Sequence, residues 1–243
     1  MDLSEVDIPK HVLAAFQVDD TPASSVVPAG PVWDNGARFG RVVVSTAAPT
    51  AAWAAKVRER LAIDGMRVAR PVRATDGRFV VGGFKASEYA EGEVVSRVDE
   101  AIAAALSYEE AMREVAGPTV QRTDRFADAD RAAWRDVEVP GPTCVAHADF
   151  LFSCAFSGSL PPLLTDIVPT AEPRPAGYTA ALVLVDGLLT RSVDDNVVSR
   201  WAHIAHLPEL ALRAVEYREI LATAAHSNMR SEIERVRTLL VSA

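Results

Sequence analysis

Cysteine is scarce in this chain: Cys144 and Cys154 are its only two, and they lack the close pairing of a metal knuckle or a redox motif. No apolar run approaches the ~20 residues needed to cross a bilayer, so no membrane partner is expected. The first residues, Met1-Asp2-Leu3-Ser4-Glu5, are acidic with no apolar core behind them, which excludes the pattern of a secretory signal. Basic excess is missing too. The formal charge is -8 with a pI near 5.2, and the arginines are scattered among Glu and Asp, so the clustered cations that hold a nucleic-acid backbone are absent. There is no internal repeat and no low-complexity tail. The reading is a reduced, cytoplasmic, globular protein.

What is present is apolar substance: 49% of 243 residues are hydrophobic, enough to bury a core in one domain or two small lobes. Ile8 to Val18 carries apolar positions at Val12, Leu13, Phe16 and Val18 and reads as a short helix. After Pro22 and Pro28, the turn-rich Gly30 to Gly36 leads into a β-branched strand from Arg41 to Ser45. The next helix has Pro49 near its first turn, a stripe of Trp53, Val57 and Leu61, and an end at Gly65. Val68 to Ala74 and Arg78 to Ala86 read as strands joined at Asp76-Gly77, a pair that tolerates a tight hairpin turn.

Beyond Gly92 the composition changes. Val98 to Val115 is Ala-rich and periodic, and helices are expected over about Asp128 to Val137, Tyr178 to Leu189, Val197 to His206, Glu209 to Ala225 and Ser231 to Val241. The fold class is therefore α+β, with a sheet lobe over 1–91 and a mainly helical lobe over 92–243, the boundary falling near Glu91 to Ser96.

One stretch carries chemistry. His147-Ala148-Asp149-Phe150 is followed, seventeen residues after Asp149, by Asp166 at the end of Pro161-Pro162-Leu163-Leu164-Thr165. Two acids, each at the end of a short apolar run and joined by a compact turn, suit phosphoryl transfer: one serves the acceptor hydroxyl, the other the metal.

The sheet lobe, the helical lobe and this two-acid loop together resemble the bilobal fold shared by aminoglycoside phosphotransferases, choline kinases and, more distantly, protein kinases. The resemblance covers nearly the whole chain. Arg70 to Ala74 with Asp76-Gly77-Arg78, Gly83-Phe84-Lys85-Ala86, Asp130 to Trp134, Pro161-Pro162 before Asp166, and Arg174-Pro175 look closer still to an actinobacterial branch of that superfamily. The resemblance implies that Asp149 orients or deprotonates the acceptor, with His147 structural, and that Asp166 holds magnesium against the phosphates of ATP. It also implies that Ser87-Glu88-Tyr89-Ala90 is the hinge whose backbone faces the adenine.

Several residues depart from that pattern. The lysine that should pair the phosphates, on the strand carrying Val42-Val43-Val44, is replaced by Ser45. The metal-binding Asn falls on Ser153 or Cys154 depending on loop length, and the spacing to Pro161-Pro162 favours Ser153. Gly30, Gly36 and Gly40 are too far apart for a glycine cluster, and Pro31 removes a backbone N–H. Leu151 to Phe156 is apolar where a catalytic loop is usually polar. Lys85 and Arg41 are the nearest replacement cations by sequence, Arg41 lying on the face of Ser45 but about 13 Å away along the strand. Glu59, the partner acid of the absent lysine, reads as a solvated helix charge.

His203 and His206 share a helix face without a third ligand, and Cys154 is a buried thiol without a base. These features point to a kinase-fold protein that is catalytically degenerate and binds a small molecule or a protein partner. The alternatives are an atypical small-molecule phosphotransferase using ATP and magnesium, with Ser45, Glu88, Tyr89 and Ala90 at the nucleotide and Ser153 beside Asp166 at the metal, and a purely structural interaction domain.

Overall fold

The computed structural model describes residues 8–120, 122–222 and 227–242, and its contacts divide the chain into two compact units. The sheet unit draws on residues up to 62, on 66–94 and on 152–167; the helical unit draws on 63–65, 95–151 and the residues from 168 onward. The segment with Ser153 and Asp166 thus belongs to the sheet unit.

In the sheet unit an antiparallel sheet runs in the order Val26–Pro28, Ala37–Phe39, Val42–Thr46, Phe84–Glu88, Pro71–Val72, with Val80–Val81 also paired to Phe84–Glu88. Alternation along its two central strands divides their side chains between two faces. Val44 and Ala86 face a core with Val12, Phe16, Val18 and Val81, closed by the Lys10–Ala15 helix. Val43, Ser45, Lys85 and Ser87 therefore face the other way. Their register sets Ser45 directly opposite Lys85, and a slip of one residue would turn Lys85 into the core.

The expected turn at Asp76-Gly77 is present, with Gly77 at φ 84° and Ala74 N–H donating to Arg78 O at 2.8 Å. The strand drawn from Arg78 to Ala86 is instead two strands. Gly82 and Gly83, at φ 58° and 81°, make a second hairpin turn between Val80–Val81 and Phe84–Glu88, because consecutive left-handed residues match the twist of the flanking strands.

The Ala51–Arg58 helix buries Ala51, Ala54, Ala55 and Arg58. Trp53 and Val57, two members of the expected stripe, are only half-buried. Small residues let the helix lie close to its neighbours, and that closeness rather than hydrophobic bulk selects its inner face. A second, three-stranded sheet joins Arg67–Val68 in parallel to Leu163–Leu164, which pairs antiparallel with Cys154–Ala155.

The helical unit is built on Tyr178–Leu189, buried from Tyr178 to Leu188, as suits a helix apolar on every side. It contacts helices Val98–Ala111, Leu207–Ala222 and Ser227–Ser242. A Cβ at Gly187 would meet Val98 Cγ1 at 2.7 Å, so glycine permits the close approach of Val98–Ala111.

Helix Arg125–Ala133 begins earlier than expected because the Asp124 side chain caps it, accepting from Phe126 and Ala127 N–H at 3.1 Å. Trp134 then ends it. The helix expected over Val197 to His206 is confined to Val197–Arg200, and His206 is left-handed at φ 57°. The end of the expected Glu209 to Ala225 helix, beyond Ala222, lies outside the described residues. Among the described residues no helix is long and apolar enough to cross a membrane.

Candidate functional site

The sheet face that carries Ser45 gathers four charged side chains. Lys85 lies directly across from Ser45 and reaches two acids, forming an ion pair with Asp166 and a second with Asp34 Oδ2 at 2.7 Å. Arg58, from the Ala51–Arg58 helix, is 1% exposed and places Nε 3.3 Å from Asp166 Oδ1. Its Nη1 donates to Ala69 O at 2.9 Å, Thr165 O at 2.8 Å and Ser87 Oγ at 3.3 Å. Two cations and two carboxylates thus cancel in one cluster, buried at Arg58 and Lys85 and open to solvent at Asp34.

The electrostatics follow from that company. Burial alone would raise the Asp166 carboxyl, but the charges of Lys85 and Arg58 outweigh it and hold the group below the usual carboxylate range. Burial alone would lower Lys85, and Asp166 and Asp34 together hold it above its ordinary value. Both groups are therefore charged at neutral pH, each satisfying the other.

Beside this cluster, Gly30 to Gly36 folds into a turn that uses its own backbone donors. Trp33 and Asn35 N–H donate to Gly30 O, Asp34 N–H to Pro31 O and Gly36 N–H to Trp33 O, all within 3.1 Å. No backbone N–H from 33 to 36 is left to cradle an anion. Pro31–Trp33 is one turn of 3-10 helix that drives Val32 and Trp33 into a core with Val43, Ala69, Ala155 and Leu163. The Trp33 ring lies 5.7 Å from that of Tyr89. The space left between Trp33, Ser45, Lys85 and Asp166 is about 10 Å³, room for at most one water molecule. Ligand pockets run to several hundred Å³.

The remaining site residues of the sheet unit take structural parts. Glu88 and Tyr89 donate their backbone N–H groups to Arg70 O and Arg41 O at 2.8 Å. Glu88 is exposed, while Tyr89 and Ala90 are half-buried beside Trp33 and Val32. Ser153 is buried, and its backbone carbonyl accepts from Thr165 N–H at 2.9 Å and Thr165 Oγ1 at 3.1 Å. Arg41 is exposed. Glu59 pairs with Arg73 at 2.7 Å at the surface, so Arg58, one residue earlier, is the inward group. Phe152 is 47% exposed, although the rest of Leu151 to Phe156 is buried.

His147 and Asp149 lie in the helical unit. His147 is fully buried, edge-on to Tyr108 and Phe150. The backbone N–H groups of Asp149 and Val168 approach its two ring nitrogens at 3.1 and 3.2 Å, of which a neutral imidazole can accept one. Asp149 is 34% exposed and meets Arg218 Nη2 at 3.4 Å. Arg218 is committed elsewhere: Nε and Nη2 donate to Asp186 at 2.6 and 2.5 Å, a bidentate pair joining helices Leu207–Ala222 and Tyr178–Leu189.

The same unit holds a cavity of about 340 Å³ lined by Glu109, Cys144, Gly177 and His203 among others. Glu109 accepts from Gly177 and Thr179 N–H at 2.6 Å. Burial pushes its carboxyl up to about 7, against the pull of those two bonds. Cys144 and Cys154 are buried and not joined in a disulfide. His203 and His206 are exposed, and no group of three or more metal-ligating residues occurs among the described residues.

Trp33, Asp34, Arg58 and Arg218 were absent from the sequence-derived site. A usable signal existed for two of them: Arg58 continues the Ala51, Ala54, Ala55 spacing, and Arg218 continues Ala211 and Ala214. Lys85 had another. The chain has three lysines, and Lys10 and Lys56 are exposed.

No protein-family model matches the sequence, and no curated protein matches it. Among solved structures, the chain is similar to the crystal structure of an aminoglycoside phosphotransferase from Alicyclobacillus acidocaldarius, with a TM-score of 0.59 and 14% identity over 98% of this chain and 96% of that one. At that identity the likeness establishes the fold: an antiparallel sheet unit and a mainly helical unit of the kinase-like α+β kind.

Proposed function

We propose that this chain is a kinase-fold protein in which phosphoryl transfer has lapsed, and which acts by binding a small molecule or a protein partner. The observation that carries this reading is Asp166. A metal-holding acid must present free carboxylate oxygens to the cation, whereas this one is fixed between Lys85 and Arg58. The self-bonded turn at 30–36 and the buried Trp33 support the same conclusion, because they take up the donors and the volume that a nucleotide would need. These residues, as they are paired and packed, do not suit magnesium or ATP.

A second reading is favoured by Lys85. It stands across the ladder from Ser45 and contacts Asp166, where a cation displaced by one strand would serve an atypical phosphotransferase with Asp149 as base. Incubation with γ-labelled ATP, magnesium and a metabolite extract separates the two. Lapsed chemistry predicts no labelled product and no difference between the native chain and Asp149→Ala. Product formation suppressed by several orders of magnitude in Asp149→Ala would establish the second reading.

A further inference from the structure

We propose that residues 30–36 are a displaceable plug: Asp34 stands on Lys85 where a ligand anion would stand, Trp33 fills the apolar slot beside it, and an anionic aromatic ligand enters only when the plug is out. The proposal rests on the reading that the resting site is closed by the chain's own side chains.

Three observations carry it. The first is a mismatch of exposure across one ion pair. Lys85 is 7% exposed, but Asp34, which holds it at 2.7 Å, is 51% exposed. The anion on the buried lysine is therefore reached from solvent and exchangeable for another, whereas Asp166 on the opposite side is 17% exposed and carries Arg58 as well.

The second is the construction of the turn. Its backbone donors bond within 29–36, and Thr165 Oγ1 donates to Val32 O at 2.8 Å, so the turn can leave the sheet without breaking a ladder but gives up that one side-chain bond. It ends on Gly36, where a Cβ would meet Val44 O at 2.6 Å. Gly30, Asp34 and Asn35 are left-handed at φ 82°, 54° and 52°, a conformation these residue types adopt readily in turns.

The third is Trp33. Its indole Nε1 is buried without an acceptor among the described residues. Trp33 gives up a hydrogen bond to water by entering the slot and regains it by leaving. Tyr89, whose ring lies beside it under the Arg38 guanidinium at 3.9 Å, would remain as an aromatic wall for an incoming ring.

The test uses the full chain with inorganic pyrophosphate and ADP as probes, measured by calorimetry. Asp34→Asn removes the anion and keeps a side chain that tolerates the left-handed backbone; Trp33→Leu widens the slot. The expected result is negligible binding by the native chain, a gain of at least about tenfold for pyrophosphate in Asp34→Asn, a further gain for ADP in the double variant, and loss of both gains when Lys85→Met is added.

If the native chain is silent and folded Asp34→Asn binds pyrophosphate no better, the plug is overturned while the closed-site reading stands. Gains that survive Lys85→Met overturn it as well. Tight magnesium-dependent ADP binding by the native chain overturns the plug and the closed-site reading together. Should Trp33→Leu fail to fold, the Asp34→Asn comparison decides alone.

Discussion

In the sheet unit Asp166 sits between Lys85 and Arg58, whereas in the helical unit Asp149 keeps about a third of its side chain in solvent and meets Arg218 only at the edge of a guanidinium already bound to Asp186. The two acids of the motif have thus met different fates. Asp166 is held by two buried cations, Lys85 and Arg58. Asp149 is partly exposed and pairs with Arg218 at 3.4 Å. The sheet-unit acid is enclosed by two cations, and the helical-unit acid is partly exposed.

The largest effect that would break this comparison is at Arg58. Arg58→Met is expected to destabilise the chain by about 3–5 kcal/mol, the range for removing one partner of a buried charge pair. It leaves Asp166 undercompensated and strips a donor from Ala69 O and Thr165 O. Denaturant unfolding of Arg58→Met, Asp166→Asn and the double variant checks it. The double variant should lose less than the sum of the singles, since removing both charges avoids an unpaired one.

Next in size is a pH effect that contrasts two buried acids. Asp166 is depressed by its cations, so its contribution is present above the unfolded carboxylate pKa and is lost as pH falls through its lower folded value. Glu109 has backbone amides in place of cations and is raised to about 7. Its burial is free of ionisation cost below the unfolded value, and stability erodes as pH rises toward 7, by up to about 3 kcal/mol. Stability measured from pH 4.5 to 7.5 should lose this downward trend in Glu109→Gln. An unchanged slope would remove Glu109 from the account.

The smallest effect belongs to Asp149. Asp149→Asn should change stability by under about 1 kcal/mol, because the pair is long, the carboxylate is partly exposed and Arg218 keeps its two bonds to Asp186. A melting curve close to that of the native chain is the expected result. A large loss would mean that Asp149 is as structural as Asp166.

Much of the architecture was legible because it rests on local pattern. The β-branched run at Val42–Val44, the turn glycine at 77 and the apolar Tyr178–Leu189 helix announce themselves through alternation, left-handed tolerance and unbroken hydrophobicity. The His147 to Asp166 spacing marked the two acids for the same reason.

The remainder was hidden because it depends on register and on partners distant in sequence. Ser45 was visible in the sequence, but Lys85 comes to stand opposite it only through an antiparallel register that no local signal dictates. Arg58 was passed over because three alanines gave its helix face less hydrophobic weight than Trp53 and Val57. The turn at 30–36 was read as a weak glycine cluster. That it folds on itself and buries Trp33 follows from tertiary packing.

The most direct test of the closed site is a calorimetric titration of the native chain with ATP in the presence and absence of magnesium, repeated on Asp166→Ala. With Asp166 held by Lys85 and Arg58, the expected result is no metal-dependent binding in either protein. Micromolar, magnesium-dependent binding that Asp166→Ala abolishes would contradict it.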